Sequence, residues 1–373
     1  IWNDIVTRKM YVTGACGALY DGTSPDGTCY EPDSIQKVHQ SYGRPYQLPN
    51  STAHNETCAN IGNMLFNWRM LEVTGDAKYA ELVETCLYNS VLSGISLDGK
   101  KYFYTNPLRI SADLPYTLRW PKERTEYISC FCCPPNTLRT LCQAQNYAYT
   151  LGSEGIYCNL YGANTLTTNW RDKGEIALTQ KTAYPWEGNV RVEFDRVPRK
   201  AGVFSLFLRI PEWCEKAMLT VNGELVPVAA KANTYAEVKR TWKKGDVVEW
   251  VMDMSVRLLE AHPLAEEIRN QVVVKRGPLV YCLESMDMRG GGSIDNVLIP
   301  ADIKLIPKKV TIEGSPVVAL EGKARLISSN SWEGILYRPV SFAGKTVDIR
   351  LIPYYAWGNR GKGEMTVWMP LGR

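Results

Sequence analysis

Ser129-Cys130-Phe131-Cys132-Cys133-Pro134-Pro135-Asn136 holds three of the chain's eleven cysteines, with two prolines directly behind them. Proline is tolerated in the first turn of a helix, where its missing N–H would have no partner. The run from Asn136 to Tyr149 predicts that helix, with Leu138, Leu141, Cys142 and Gln145 on one face. Cys132 and Cys133 therefore stand just ahead of a helix N-terminus, whose partial positive charge favours thiolate over thiol. Thiolates bind zinc, and they also attack electrophilic carbon.

On the N-terminal side, Glu56 to Thr74 reads as a helix closed by Gly75, with Ile61, Met64, Leu65, Trp68 and Leu71 at helical spacing. Phe66 and Met70 widen that apolar face, so the helix is expected to be well buried. Asp76 caps a second helix reaching about Leu92, and a strand-like hairpin region is expected from Lys101 to Ile110. Tyr11 to Ala18 carries the glycines of a tight backbone passage. Asp21 to Asp33 is rich in turn residues and forbids a regular element. The chain opens Ile1-Trp2-Asn3 without Met, in what reads as the tail of a helix, so a preceding segment is expected.

On the C-terminal side the pattern changes to period two. Strands are expected at Gly155 to Tyr161, Asn189 to Phe194, Phe204 to Ile210, Val247 to Met252, Val272 to Val274 and Leu279 to Leu283. A last group runs from about Ile303 to Trp368. Asn222-Gly223 between two apolar runs is the strongest hairpin signal. The expected order is a helical part first, then antiparallel sandwiches.

Composition sets the outer limits. At 373 residues the chain has room for two or three domains, and 45% hydrophobic with 22% charged residues is ordinary for a soluble globular protein. A formal charge of +4 without a basic block gives no indication of nucleic acid. No apolar run reaches the length of a membrane span. The cysteines lack the spacing of a small disulfide scaffold; most, such as Cys86, Cys142, Cys158 and Cys282, read as small buried hydrophobes. Free thiols in this number lean towards a reducing compartment, cytoplasmic before periplasmic, or towards a chelated subset.

His54-Asn55-Glu56-Thr57-Cys58 is the second chemical cluster. Side chains at i and i+2 do not share a helix face, so Glu56 and Cys58 can bind one ion only where the segment is extended or turning before its helix. Beside Cys132 and Cys133 they would supply one oxygen and three sulfurs, a zinc-like set. Buried cysteines with an unrelated carboxylate would give the same spacing.

Glu56-Thr57-Cys58 followed by Cys130-Phe131-Cys132-Cys133-Pro134-Pro135-Asn136 resembles the zinc-dependent β-L-arabinofuranosidases of glycoside hydrolase family 127. Lys9 to Gly14, Leu48-Pro49-Asn50, Tyr104 to Leu108 and Arg276 to Tyr281 match as well. The resemblance implies the C-terminal part of an (α/α)6 barrel followed by antiparallel β-sandwich domains. The expected division is a helical catalytic-barrel portion over 1–153, incomplete at its N-terminus, then β domains over 154–285 and 286–373. An upstream barrel segment or a partner would cover the open helical face. The resemblance also implies that Glu56, Cys58, Cys132 and Cys133 bind Zn2+. By the same resemblance Cys132 is the nucleophile of a retaining exo-glycosidase acting on L-arabinofuranosides or related plant cell-wall sugars. Tyr104 matches a sugar-contacting position, and His54 is taken with it as a substrate-binding residue.

One position departs from the family. Its general acid/base falls at or near Gln40, whose amide cannot donate a proton to a leaving group; Glu31, Asp33 and His39 lie nearby. A second reading follows: a non-catalytic carbohydrate-binding fragment with a structural zinc site. A third, a thiol redox protein using Cys132 and Cys133, ranks last, because adjacent cysteines make a strained disulfide and no thioredoxin-like pattern surrounds them. Trp357 to Gly361 reads as a tight turn before a sugar-stacking loop, and His262 as a surface residue.

Overall fold

The computed structural model describes residues 1–20, 41–112, 114–115, 117–228, 231–327, 333–339 and 343–372. Asp21 to Gln40, including Glu31, Asp33 and His39, lie outside the described residues. Two compact units are present. One comprises Ile1–Asn63, Cys86–Thr137 and Val256–Arg373; the other comprises Met64–Thr85 and Leu138–Ser255.

Four α-helices occur among the described residues: α1 (Trp2–Arg8), α2 (Thr57–Thr74), α3 (Ala77–Thr85) and α4 (Cys133–Gln143). Twenty strands accompany them. This overturns the expected C-terminal part of an (α/α)6 barrel: the described chain is mostly strand. The reason is local. The pattern read as one long helix after Asp76 holds α-geometry for nine residues, then loosens into a π-helix (Cys86–Val91) and a 3-10 turn (Leu92–Gly94). α4 begins at Cys133 and passes into a 3-10 turn at Ala144–Tyr147, well short of Tyr149. Val73 and Leu138 are the exposed large hydrophobics of these helices, and Leu65, Phe66, Trp68 and Met70 of α2, expected to be well buried, are half-buried. No described helix is long and apolar enough to cross a membrane.

The first unit is built on a ten-stranded, largely antiparallel sheet. Its centre is Leu279–Met288, Gly344–Pro353 and Ser315–Ile327, with Leu320 opposite Leu351 and Leu283 opposite the same residue from the other side. Val280, Tyr281, Cys282 and Leu283 are fully buried, as a run of consecutive apolar residues demands when both sheet faces are covered. The expected hairpin over 101–110 is instead a chain of separate pairings. Tyr102 bridges both Ile95 and Thr125, Thr105 bridges Glu56, and Arg109–Ile110 joins the sheet beside Met365–Thr366. The segment from Tyr104 to Ile110 is thereby anchored at one end to the large sheet.

The second unit has a four-stranded and a six-stranded sheet. Asn189–Arg196 alternates as period two requires, with Val190, Val192 and Phe194 buried. Asn222 and Gly223 both take positive φ, the geometry of a two-residue hairpin turn between Ala217–Val221 and Glu224–Val226. Gly155 lies in a parallel pair with Ser205, where a Cβ would fall 1.9 Å from the Ser205 carbonyl oxygen. Only glycine allows that approach.

This unit also buries charge. Arg209 on Val203–Ile210 donates to Glu81 Oε2 at 2.6 Å and pairs with Glu84 Oε1 at 2.7 Å, both on α3. Its Nε donates to the Asn159 carbonyl, and Tyr184 donates to Glu84 at 2.8 Å. The guanidinium is fully buried. Removing it leaves two carboxylates in apolar surroundings. Arg209→Ala should therefore lose about 3–5 kcal/mol of stability, read by urea unfolding. A loss under about 1 kcal/mol would mean that water reaches the carboxylates freely.

Candidate metal centre

Two helices begin at one point in the first unit. The Glu56 carbonyl accepts from the Asn60 N–H at 3.0 Å, which makes Glu56 the N-cap of α2 and places Cys58 in its first turn. The Cys132 carbonyl accepts from Asn136 N–H at 3.1 Å, which makes Cys132 the N-cap of α4 and Cys133 its first helical residue. Pro134 and Pro135 follow in the first turn, where no N–H is required of them. Glu56 is extended, bridged to Thr105, while Cys58 is already helical. The change of backbone between them turns both side chains to one side.

The ligating atoms of Glu56, Cys58, Cys132 and Cys133 all lie within 4.8 Å of one another. Cys132 donates to Glu56 Oε1 at 3.3 Å and Cys133 to the same oxygen at 3.6 Å. Cys58 and Cys133 are hydrogen-bonded sulfur to sulfur at 3.7 Å, and Cys132 stands 3.7 Å from Cys133. Such a set can hold a metal ion. Glu56 and Cys133 are buried, Cys58 is partly covered and Cys132 is exposed. The cluster thus has a sealed side and an open side, and Cys132 is on the open one.

The loop before Glu56 is fixed by the early glycine passage. Asn55 and His54 donate their N–H groups to the Gly17 and Ala18 carbonyls. Gly14 has φ +77°, and a Cβ there would meet Cys86 Sγ at 2.7 Å. A buried polar net holds the other side. Asn106 donates to the Asn55 carbonyl at 2.9 Å and to Thr57 Oγ1 at 3.0 Å, and accepts from Ser93 Oγ at 2.7 Å. Asn60 donates to the Asn55 carbonyl, and its own side-chain oxygen accepts from Cys16 N–H. Thr57, Ser93, Asn60 and Asn106 escape the reading of the sequence because only their tertiary partners set them apart from ordinary polar residues. Thr57 and Asn106 had a signal, in the Glu56-Thr57-Cys58 and Tyr104 to Leu108 matches.

A ladder of rings leads to the cluster. Tyr20 meets His54 edge-on at 4.6 Å, His54 meets Tyr104 at 5.7 Å, and Tyr104 stacks on Trp120 at 3.6 Å. Tyr104, Ile128 and Cys133 form a small core with Cys58, Tyr102, Trp120 and Cys130 packed on it. Tyr104 therefore packs with the sulfurs, His54 stands one ring further out, and both are buried. Tyr20, Tyr102 and Trp120 are aromatics that the sequence did not single out. Trp357 is buried, stacked on Phe103 at 4.7 Å with the Arg124 guanidinium over the Phe103 ring, so its loop is a brace. His262 is exposed and stacks on Tyr46. Gln40 lies outside the described residues.

Charge in the cluster is shared. The sulfur–sulfur hydrogen bond with Cys133 pulls the Cys58 thiol down to about 7 and pushes Cys133 well above the usual thiol range. Burial pushes Cys132 up as well, helped by its contact with Cys130. Without a cation one thiolate is tolerated beside the carboxylate and further ones are not. A divalent ion reverses this and must displace the protons held by Cys132 and Cys133.

Comparison with known proteins adds a family. Residues 1–146 match the β-L-arabinofuranosidase GH127 catalytic domain, 155–254 the GH127 middle domain, and 256–370 the glycoside hydrolase family 127 C-terminal domain. A non-reducing end β-L-arabinofuranosidase of Bifidobacterium longum subsp. longum is 31% identical over 98% of this chain and 54% of its own length. Among solved structures, one titled glycoside hydrolase superposes with a TM-score of 0.96 at 89% identity, covering all of this chain and 61% of that one. A GH127 β-L-arabinofuranosidase from Geobacillus stearothermophilus T6 superposes with a TM-score of 0.88 at 36% identity, covering all of this chain and 56% of that one. The chain thus spans little more than half the length of these relatives.

The proton inventory gives a test. Titrating metal-free protein with a divalent ion in weak buffer at pH 8 should release about two protons per ion, and apparent affinity should tighten about a hundredfold per pH unit. Affinity that ignores pH between 6 and 8 would show that the ion binds without Cys132 and Cys133.

Proposed function

This chain belongs to glycoside hydrolase family 127, and on that footing we propose that it is the site-bearing part of a retaining exo-glycosidase. It releases L-arabinofuranose or a related sugar from plant cell-wall glycans. The observation that carries this reading is the open-sided cluster: four ligating atoms converge, and one sulfur, Cys132, faces outward. The ion that suits it is zinc. A tetrahedron with bonds of roughly 2.3 Å to sulfur has edges of about 3.8 Å. The contacts of 3.7 Å between sulfurs agree with that figure, and 3.3 and 3.6 Å from sulfur to Glu56 agree with the edge of about 3.5 Å that a shorter bond to oxygen gives. Calcium and magnesium prefer all-oxygen sets. Zinc, when bound, keeps its thiolates deprotonated near neutral pH.

Glu56, Cys58 and Cys133 hold; Cys132 reacts. Its sulfur attacks the anomeric carbon, the bond to the leaving oxygen breaks, and a thioglycosyl intermediate forms. Water then releases the sugar, and two displacements retain the configuration. Tyr104 and His54, with Trp120 beside them, supply ring faces and polar edges against which a sugar is oriented. The leaving oxygen needs a proton, which the Gln40 amide cannot give. That amide favours the alternative, a carbohydrate-binding part with a structural zinc site.

An aryl β-L-arabinofuranoside separates the two. Turnover is expected, with Cys132→Ser lowering kcat by about 10^3-fold or more while still binding sugar. Cys133→Ser should instead lose zinc on dialysis. Sugar binding without turnover in the unaltered chain favours the alternative, and near-normal kcat in Cys132→Ser removes the nucleophile.

A further inference from the structure

Cys130 is the cysteine of the motif that the ligand set leaves over. Its Sγ lies 3.0 Å from Cys132 Sγ, against 3.7 Å for Cys132 to Cys133 and for Cys58 to Cys133. The backbone bends at Phe131 and Cys132. A bend shortens the span of two residues from the roughly 7 Å of an extended chain towards the range a disulfide accepts. Phe131 between them is 79% exposed, so the segment carrying the pair is open to small solutes. Cys132 is exposed and Cys130 partly so. The competing pairs are worse placed. Cys133 is buried, and a bond between Cys132 and Cys133 would strain the peptide joining them.

We propose that Cys130 and Cys132 form a site of reversible oxidative modification, with a small peroxide as oxidant and Cys130 as the resolving thiol. The Cys132 sulfur attacks one peroxide oxygen, the O–O bond breaks, and Cys132 becomes a sulfenic acid with release of water. Cys130 then attacks that sulfur, the S–O bond breaks, and a second water leaves with the Cys130 proton. Two thiols and one hydrogen peroxide thus become one disulfide and two waters. The product takes Cys132 out of the four-atom cluster and leaves Glu56, Cys58 and Cys133. It also spares Cys132 from the irreversible sulfinic and sulfonic states. The modification needs only the sulfur geometry; its effect on turnover rests on the reading of Cys132 as nucleophile.

The test is read on thiols and metal, so it stands apart from any glycosidase assay. Zinc-loaded protein is treated with an excess of hydrogen peroxide, enough to carry an unprotected thiol to the sulfinic or sulfonic state, and the tryptic peptide from Thr125 to Arg139 is sequenced by mass spectrometry. The expected result is loss of two hydrogens, a bond mapped between Cys130 and Cys132, zinc released to a chromogenic chelator, and full reversal by dithiothreitol. Cys130→Ser should still bind zinc before treatment. After treatment it should carry sulfinic or sulfonic acid at Cys132, which dithiothreitol does not restore. A disulfide mapped to Cys133, or identical peroxide products in the two proteins, would overturn the proposal.

Discussion

Two helix N-termini, at Glu56 and Cys132, open onto the same small volume, and the site depends on that convergence. Each brings the partial positive charge of a helix start towards the carboxylate and the sulfurs. That charge accommodates one thiolate, at Cys58, while the thiols of Cys132 and Cys133 stay protonated until a cation arrives. The N-cap role also fixes each side chain, because a residue whose carbonyl starts a helix has its backbone set by the helix behind it. Displacing either helix start would pull a ligand pair out of reach.

What carries the arrangement is polar and buried. Asn106 by itself ties the Asn55 to Thr57 stretch to Ser93, two pieces of chain that no regular element connects. Gly94 lies against Thr57, where a Cβ would meet the Thr57 methyl group at 2.6 Å. Arg124 donates to the Ser93 carbonyl at 3.0 Å and to the Tyr355 carbonyl at 3.1 Å, and stacks on Phe103, the neighbour of Tyr104. Groups buried with their partners lose much when one partner goes, since the other keeps its desolvation cost. The rings beside the sulfurs are thus held by residues that never touch them.

The chemical residues were legible and the architecture around them was not. Glu56, Cys58, Cys132 and Cys133 were joined into one set by the family resemblance of their two motifs; spacing alone left an unrelated carboxylate among buried cysteines equally open, and the prolines marked only the helix start. These are short-range signals. The error over the helices came from reading apolar period as length. Cys86 to Val91 keeps an apolar pattern while its hydrogen bonds widen to a π-helix, and periodicity does not see that change. The expected hairpin near Lys101 failed for a related reason. Tyr102, Thr105 and Arg109 each pair with a different distant strand or loop, and a sequence window cannot show which partner wins. The strands after Gly155 were easier, because some, such as Asn189–Arg196, alternate with one face buried and others, such as Leu279–Met288, are continuous apolar runs.

The sulfurs of Cys58 and Cys133 meet across 75 residues of chain. An ion gripping both is a cross-link, whatever else it does. In the chain-entropy account, closing a loop of that length removes about 4–5 kcal/mol of disorder from the unfolded ensemble, a sizeable part of a typical domain's net stability. Metal supply would then govern how long the folded protein survives in the cell, and a starved chain would be lost to proteases before its chemistry was ever tried.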